Sequence, residues 1–229
     1  MISIAMPTYE SFGRGVEFLE CQFQRFLEQT YKDFEVVISD HSKDDNIENL
    51  CKEYDDLINI SYLRNELRRG NFTYNTNEAM KRCKGDIIKI LYQDDFLWDE
   101  HSLQKIHDAF GEETKWVVTS CEHTNDGTTF NRHHQPTYND EIYTGKNTIG
   151  NPSVLSVRRC EDMLYFDERM IWTVDVDYYK RLHDKFGPPV ILNDITVVIR
   201  LWEKQMTHLI PSKIKQREVV LSTEKHGKN

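Results

Sequence analysis

Along the first part of the chain, short apolar runs alternate with stretches where apolar residues recur every three or four positions. Ile2 to Met6, Phe34 to Ser39, Leu57 to Leu63 and Ile87 to Leu91 have strand length and are rich in β-branched residues. Between them, Val16, Leu19, Phe23, Phe26 and Leu27 fall on one face of a helix over residues 16–29. Asp44 and Asp45 can cap a helix running to about Tyr54, and Gly85 follows a third helix over about residues 74–83. The order β-α-β-α-β-α-β predicts a mainly parallel sheet with right-handed crossovers.

The second half is less regular. A helix carrying Leu103, Ile106 and Phe110 follows Asp99, and Trp116 to Ser120 reads as a strand. Asn125-Asp126-Gly127 is a turn signal, and residues 128–151 are polar and read as hairpin and loop. Ser153 to Val157 and Ile195 to Leu201 read as strands. Asp175 opens a helix with Tyr179, Leu182 and Phe186 on one face, closed by Gly187-Pro188-Pro189. The charged tail from Pro211 to Asn229 is expected to hold one helix and to fray at its last residues. With no repeat and no linker composition, one domain is expected, with halves at 1–97 and 98–210 and a tail at 211–229.

The first, second and fourth strands end at Thr8, at Asp40 and at the pair Asp94-Asp95. In a parallel sheet these positions share one edge, where open α/β folds bind ligands. Two adjacent carboxylates at such an edge call for a hard divalent cation or a shared proton, although Asp is also a common turn residue. No Gly-x-Gly-x-x-Gly follows the first strand and no Gly-Lys-Ser/Thr occurs, which argues against a dinucleotide fingerprint and a P-loop. Twenty-nine basic residues against 38 acidic ones, a formal charge of −9, argue against nucleic acid as the main partner. No apolar run reaches the ~20 residues of a membrane span, and the N-terminus lacks signal-peptide features. The five cysteines form no Cys-x-x-Cys motif, so a reduced, cytoplasmic setting is expected. Met1 leading directly into a strand reads as a natural start.

Several short motifs occur in a fixed order: Met6-Pro7-Thr8-Tyr9; Gln29-Thr30-Tyr31 with Asp33-Phe34-Glu35-Val36-Val37-Ile38-Ser39-Asp40; Arg64-Asn65-Glu66; Gly70; Asn77 and Ala79; Lys84-Gly85-Asp86; and Gln93-Asp94-Asp95. They resemble family 2 glycosyltransferases of the GT-A fold, an α/β, Rossmann-like and mainly parallel sheet flanked by helices with a mixed acceptor-side second half. Gly150-Asn151-Pro152-Ser153, Arg158-Arg159, Val174 to Asp177 and Arg181-Leu182 resemble the acceptor-side segments. The resemblance runs from residue 2 to about 208. The sequence departs from the family at His41, at Val174 where a Glu usually precedes the base, and at Trp202.

The resemblance implies roles. Pro7, Thr8 and Tyr9 line the nucleotide pocket, and Asp40 accepts a hydrogen bond from the base. Arg69 or Asn71, and Asn77, lie near base, ribose or diphosphate, and Asp94 near ribose or sugar. Asp95, aided by His208, ligates Mn2+ or Mg2+. Asp175 is the general base. The implied reaction is inverting transfer of a hexose-type sugar from a nucleotide-sugar donor, UDP favoured, to a hydroxyl of a glycan or other acceptor.

Bland readings stand beside these. Asp40 can start a turn, Asp175 can cap a helix with Asp177 as its rival, and Tyr9 can be a core edge. His208 can be a surface loop residue, and the adjacent His133-His134 is weak as a metal site. Two other functions remain open. A sugar nucleotidyltransferase calls for a Gly-rich basic phosphate loop after the first strand, where this chain offers only Arg14. A non-catalytic sugar-nucleotide or glycan-binding module needs no base.

Overall fold

The computed structural model describes residues 1–227. Eight strands form one mixed sheet in the order β3-β2-β1-β4-β7-β6-β8-β5. They are β1 Ile2–Thr8, β2 Phe34–Asp40, β3 Ile60–Arg64, β4 Ile87–Ile90, β5 Phe96–Leu97, β6 Trp116–Thr124, β7 Leu155–Arg158 and β8 Val190–Arg200. The helices are α1 Gly15–Glu28, α2 Asn46–Tyr54, α3 Phe72–Arg82, α4 Ser102–Asp108, α5 Val174–Phe186, α6 Met206–Leu209 and α7 Ser212–His226. No helix among the described residues is long and apolar enough to cross a membrane.

β3, β2, β1 and β4 are parallel, and β1 registers with β2 so that Thr8 lies opposite Asp40. The chain runs from β1 outward to β2 and β3, then returns to place β4 on the other side of β1. That reversal opens a crevice at the strands' carboxyl ends. Beyond β4 the sheet turns mixed, with β7 antiparallel to both β4 and β6, and β8 parallel to β6.

The central strands are buried on both faces, as in Val36, Val37, Ile38, Ile88 and Ile90. Continuous apolar runs are what a parallel sheet covered on both sides requires. The core continues through Phe23 and Phe26 of α1, Leu103 and Ile106 of α4, and Trp116, Tyr179 and Leu182 of the second half. Two glycines mark tight approaches. A Cβ on Gly85 would sit 2.7 Å from the Met1 carbonyl and 2.8 Å from the Ser3 amide. One on Gly15 would sit 2.5 Å from the Tyr9 carbonyl.

The expected elements are present with shifted ends. β1 runs on through Pro7 to Thr8, and β3 starts at Ile60 rather than Leu57. Pro7 costs no break because the ladder accepts a residue without an N–H where that group is not needed. The expected hairpin over residues 128–151 is loop instead, tied to β6 by a single bridge between Cys121 and His134 and holding one 3-10 turn at Ile142–Thr144. The two-residue β5 and the first half of β8 carry no clear periodicity and were not expected. The tail holds α7. Fraying was expected for the last residues, of which 228 and 229 lie outside those described.

Candidate active site

A cleft of about 770 Å³ opens at the carboxyl ends of β1, β2 and β4. Pro7, Thr8, Tyr9, Arg69, Asp94 and Asp175 line it together, so the topology gathers residues spread over most of the chain. The Thr8-Tyr9 turn is fixed from below: the Tyr9 N–H donates to Gln93 Oε1 at 3.0 Å, and Gln93 Nε2 donates to the Gly15 carbonyl at 2.8 Å. Arg69 donates to the Ser42 carbonyl at 3.1 Å.

The acid pair follows β4. Asp94 lines the cleft and accepts from Trp202 Nε1 at 2.8 Å. Asp95 lies behind it, 1% exposed, accepting from the Arg200 N–H at 3.0 Å and from Asn151 Nδ2 at 2.9 Å. Burial raises the pKa of Asp94. Burial and the neighbouring Asp94 charge push Asp95 up to about 7. Below them Lys89 is fully buried and donates to the Ser153 carbonyl, and burial lowers its pKa to about 7. Trp202, a departure from the family pattern, is thus a hydrogen-bond donor to Asp94 seated against Phe18, ring centroids 5.2 Å apart.

These oxygens suit a hard divalent cation. Two adjacent carboxylates with raised pKa values, Asp94 half-buried and Asp95 buried, gain from a nearby cation, and Mg2+-like ions commonly take one or two carboxylates and leave the rest to phosphate and water. Among the described residues no group of three or more His, Cys, Asp or Glu side chains converges. A full protein cage is therefore not built; Asp94, which lines the cleft, is the carboxylate of the pair open to an ion, while both oxygens of Asp95 accept hydrogen bonds.

Asp175 also lines the cleft, in the first turn of α5. Its Oδ1 accepts from the Val176 N–H at 2.8 Å and its Oδ2 from Asn147 Nδ2 at 2.7 Å. Burial still dominates, raising its pKa to about 6. The rival Asp177 is fully buried, outside the cleft, and held by Arg181 at 2.8 Å, Lys225 at 2.7 Å and His226 at 2.8 Å. Burial pushes its pKa up, but the hydrogen bond from His226 and the charges and hydrogen bonds of Arg181 and Lys225 outweigh that and hold it at about 2.

Four expected residues are placed differently. Asp40 is fully buried with both oxygens engaged: Oδ1 accepts from Thr8 Oγ1, Ser42 N–H and Ser42 Oγ, and Oδ2 from Tyr62 at 2.8 Å. Asn71 caps α3, accepting from the Tyr74 N–H at 2.9 Å. Asn77 exchanges hydrogen bonds with the Phe166 backbone, 2.9 Å in each direction, and lies away from the cleft. The residues of α3 that line the cleft are Phe72 and Asn75, the latter bonded to the Thr8 and Ser39 carbonyls. Two positions on a helix are about 200° apart, so Asn75 and Asn77 cannot face the same way. His208 is exposed, and Gln205, Met206, Thr207, Leu209 and Ile210 line the cleft in its place.

His41 takes the position Asp40 was expected to hold. It lines the cleft, and its buried Nε2 has no hydrogen-bond partner. The Gly70 N–H donates to its Nδ1 at 3.4 Å, which leaves the ring proton on Nε2. Burial lowers its pKa. The break from the paired acids at Asp40-His41 was the signal for it; Gln205, which contacts Asp94 across the cleft mouth, carried none.

A model of the family described as glycosyl transferase family 2 matches residues 3–169, most of the chain. The chain belongs to glycosyl transferase family 2. Its α/β architecture is that of GT-A glycosyltransferases. No curated protein matches the sequence. Among solved structures, S. aureus TarS 1-349 with UDP-GlcNAc superposes at TM-score 0.70 with 15% identity, over 100% of this chain and 68% of that one. The mannosyltransferase PcManGT from Pyrobaculum calidifontis, with GDP-Man and Mn2+, gives TM-score 0.69 and 14% identity, over 100% of this chain and 64% of that one. Another TarS 1-349 structure gives TM-score 0.66 and 17% identity over 87% of this chain, which spans 60% of its length. Asp175 and everything after it lie beyond the matched family segment of this family 2 glycosyltransferase.

Proposed function

We propose that this family 2 glycosyltransferase transfers a sugar, with inversion, from a nucleotide-sugar donor to an acceptor hydroxyl, assisted by a divalent cation. The observation that carries this reading is the cleft lined by both Asp94 and Asp175, with Asp95 buried next to Asp94. UDP and GDP donors both fit it. His41 Nε2–H, rather than Asp40, meets a carbonyl of the base, a group that uracil and guanine share. Thr8, Tyr9 and Arg69 border ribose and diphosphate.

Asp94, with Asp95 beside it, would hold Mn2+ or Mg2+. When bound, the ion offsets the charge of the departing diphosphate. Asp175 takes the proton of the acceptor hydroxyl as its oxygen attacks the anomeric carbon and the nucleoside diphosphate leaves. Attack from the face opposite the leaving group inverts the centre. A carboxylate raised to about 6 is still ionised at neutral pH and is a stronger base than an ordinary one. Residues 125–150 border the acceptor side.

The test needs no acceptor, because water can substitute for one. Nucleoside diphosphate release is measured from a panel of UDP- and GDP-sugars with Mn2+, Mg2+ or EDTA. Metal-dependent release from one donor, lost in Asp94→Ala and Asp95→Ala, is expected. Silence with every donor, together with no metal-dependent nucleotide binding, overturns the proposal in favour of another ligand for the cleft.

A further inference from the structure

α7 holds the base end of the cleft at three points. First, the Glu218 carboxylate, 6% exposed, accepts three successive backbone N–H groups just before α5: Ile171 at 3.1 Å, Trp172 at 2.7 Å and Thr173 at 3.1 Å. No cation pairs with Glu218 among the described residues. Its charge is met by amide donors and by the positive end of the α5 dipole. Second, Lys225 and His226 of the same helix hold Asp177, two residues past Asp175. Third, α7 backs the loop that delivers Asn147. A Cβ on Gly145 would lie 3.1 Å from Val219, and His226 stands 5.8 Å from Tyr143, ring centre to ring centre. Asn147 in turn donates to Asp175 at 2.7 Å.

Asp175 therefore sits between two backbone points that α7 fixes and beside an amide that α7 supports. A buried carboxylate with only amide partners is an expensive way to join two helices, since an apolar contact would do so without desolvating a charge. What the carboxylate adds is direction: three convergent N–H bonds fix the orientation of the α5 entry. We propose that α7 is a clasp that sets the attack geometry of Asp175, with Glu218 as its positioning residue. The clasp lies outside the matched family segment. The inference rests on the reading of Asp175 as base.

The full chain is tested as Glu218→Gln, which keeps the shape but presents an amide, and as Glu218→Asp. Three quantities are read: UDP and GDP dissociation constants with Mn2+, donor hydrolysis rate, and the Asp175 side-chain titration followed by carboxyl 13C shift. A small displacement of a base costs about 10- to 100-fold in rate. Glu218→Gln is expected to lose that much turnover with nucleotide affinity within about twofold, and Glu218→Asp to recover part of it. The Asp175 titration is expected to fall toward the ordinary carboxylate range as the α5 entry loosens. In an Asp175→Asn background Glu218→Gln should cost nothing more, the sign of action through that residue. An unchanged Asp175 titration overturns the clasp whether or not the protein turns over. Parallel loss of affinity and turnover, with a lowered melting temperature in both variants, reduces Glu218 to general stability and also overturns it. Wild-type turnover in Asp175→Asn overturns the base assignment instead, and the titration separates that result from failure of the clasp.

Discussion

Lys89 offers a test of how the floor beneath the acid pair is built. It is fully buried on β4, its ammonium group donates to the Ser153 carbonyl, and burial lowers its pKa to about 7 against the opposing pull of Asp95. In an unfolded chain a lysine titrates near 10.4, so between about 7 and 10.4 the unfolded state binds the extra proton. Stability then rises with pH through that interval, and the cost of burial is carried in full below about 7. At about 1.4 kcal/mol per pH unit the cost reaches about 4–5 kcal/mol as an upper bound. Lys89→Met keeps an unbranched chain of similar length and removes that cost. It also strips the Ser153 carbonyl of its donor, a loss of about 1–3 kcal/mol. The net expectation at pH 6 is a gain of about 2 kcal/mol, or about 4–8 °C in melting temperature for a chain of this size. The gain should shrink as the pH rises. Wild-type Lys89 loses its proton there, so the penalty that the variant removes disappears. Thermal melts of both proteins at pH 6, 7, 8 and 9 without metal decide the matter. A variant that melts below wild type at pH 6, or a difference constant across the series, refutes the reasoning.

Two further outcomes follow from the site and the fold. Asp175→Asn keeps the bonds to α5 but removes the proton acceptor, so donor hydrolysis should fall by about 10²–10⁴ with nucleotide affinity preserved. The wild-type rate should drop below about pH 6, where the raised Asp175 carboxyl takes up a proton, and a flat profile from pH 5 to 8 would contradict the assignment. Gly85→Ala drives a methyl group against the Met1 carbonyl and the Ser3 amide, both within 2.8 Å of the Cβ position, and should cost about 2–3 kcal/mol in denaturant unfolding. Unchanged unfolding would show that the β1–β4 edge yields easily.

The sequence by itself determined the parallel half of the sheet. Its strands are unbroken apolar runs and its helices carry apolar residues on one face, and both patterns are local and repetitive. It also determined that Thr8 and Asp40 end neighbouring strands and that Asp94-Asp95 follow the next one, because parallel strands bring their carboxyl ends to one edge. Tertiary structure decided which of these side chains reach the cleft. Asp40 and His41 are adjacent in sequence, yet one is spent on Thr8, Ser42 and Tyr62 while the other lines the cleft. Asn75 and Asn77 differ by about 200° of helical rotation, a fact that motif order does not carry. Asp175 and Asp177 are separated by what meets them: one faces the cleft, and the other faces Arg181 and the end of α7. The part played by α7 had no sequence signal, because Glu218 gains its meaning only from three amides some 45 positions earlier in the chain. Periodicity reports which way a residue points within its own element; the partner it meets there is fixed only when distant elements pack.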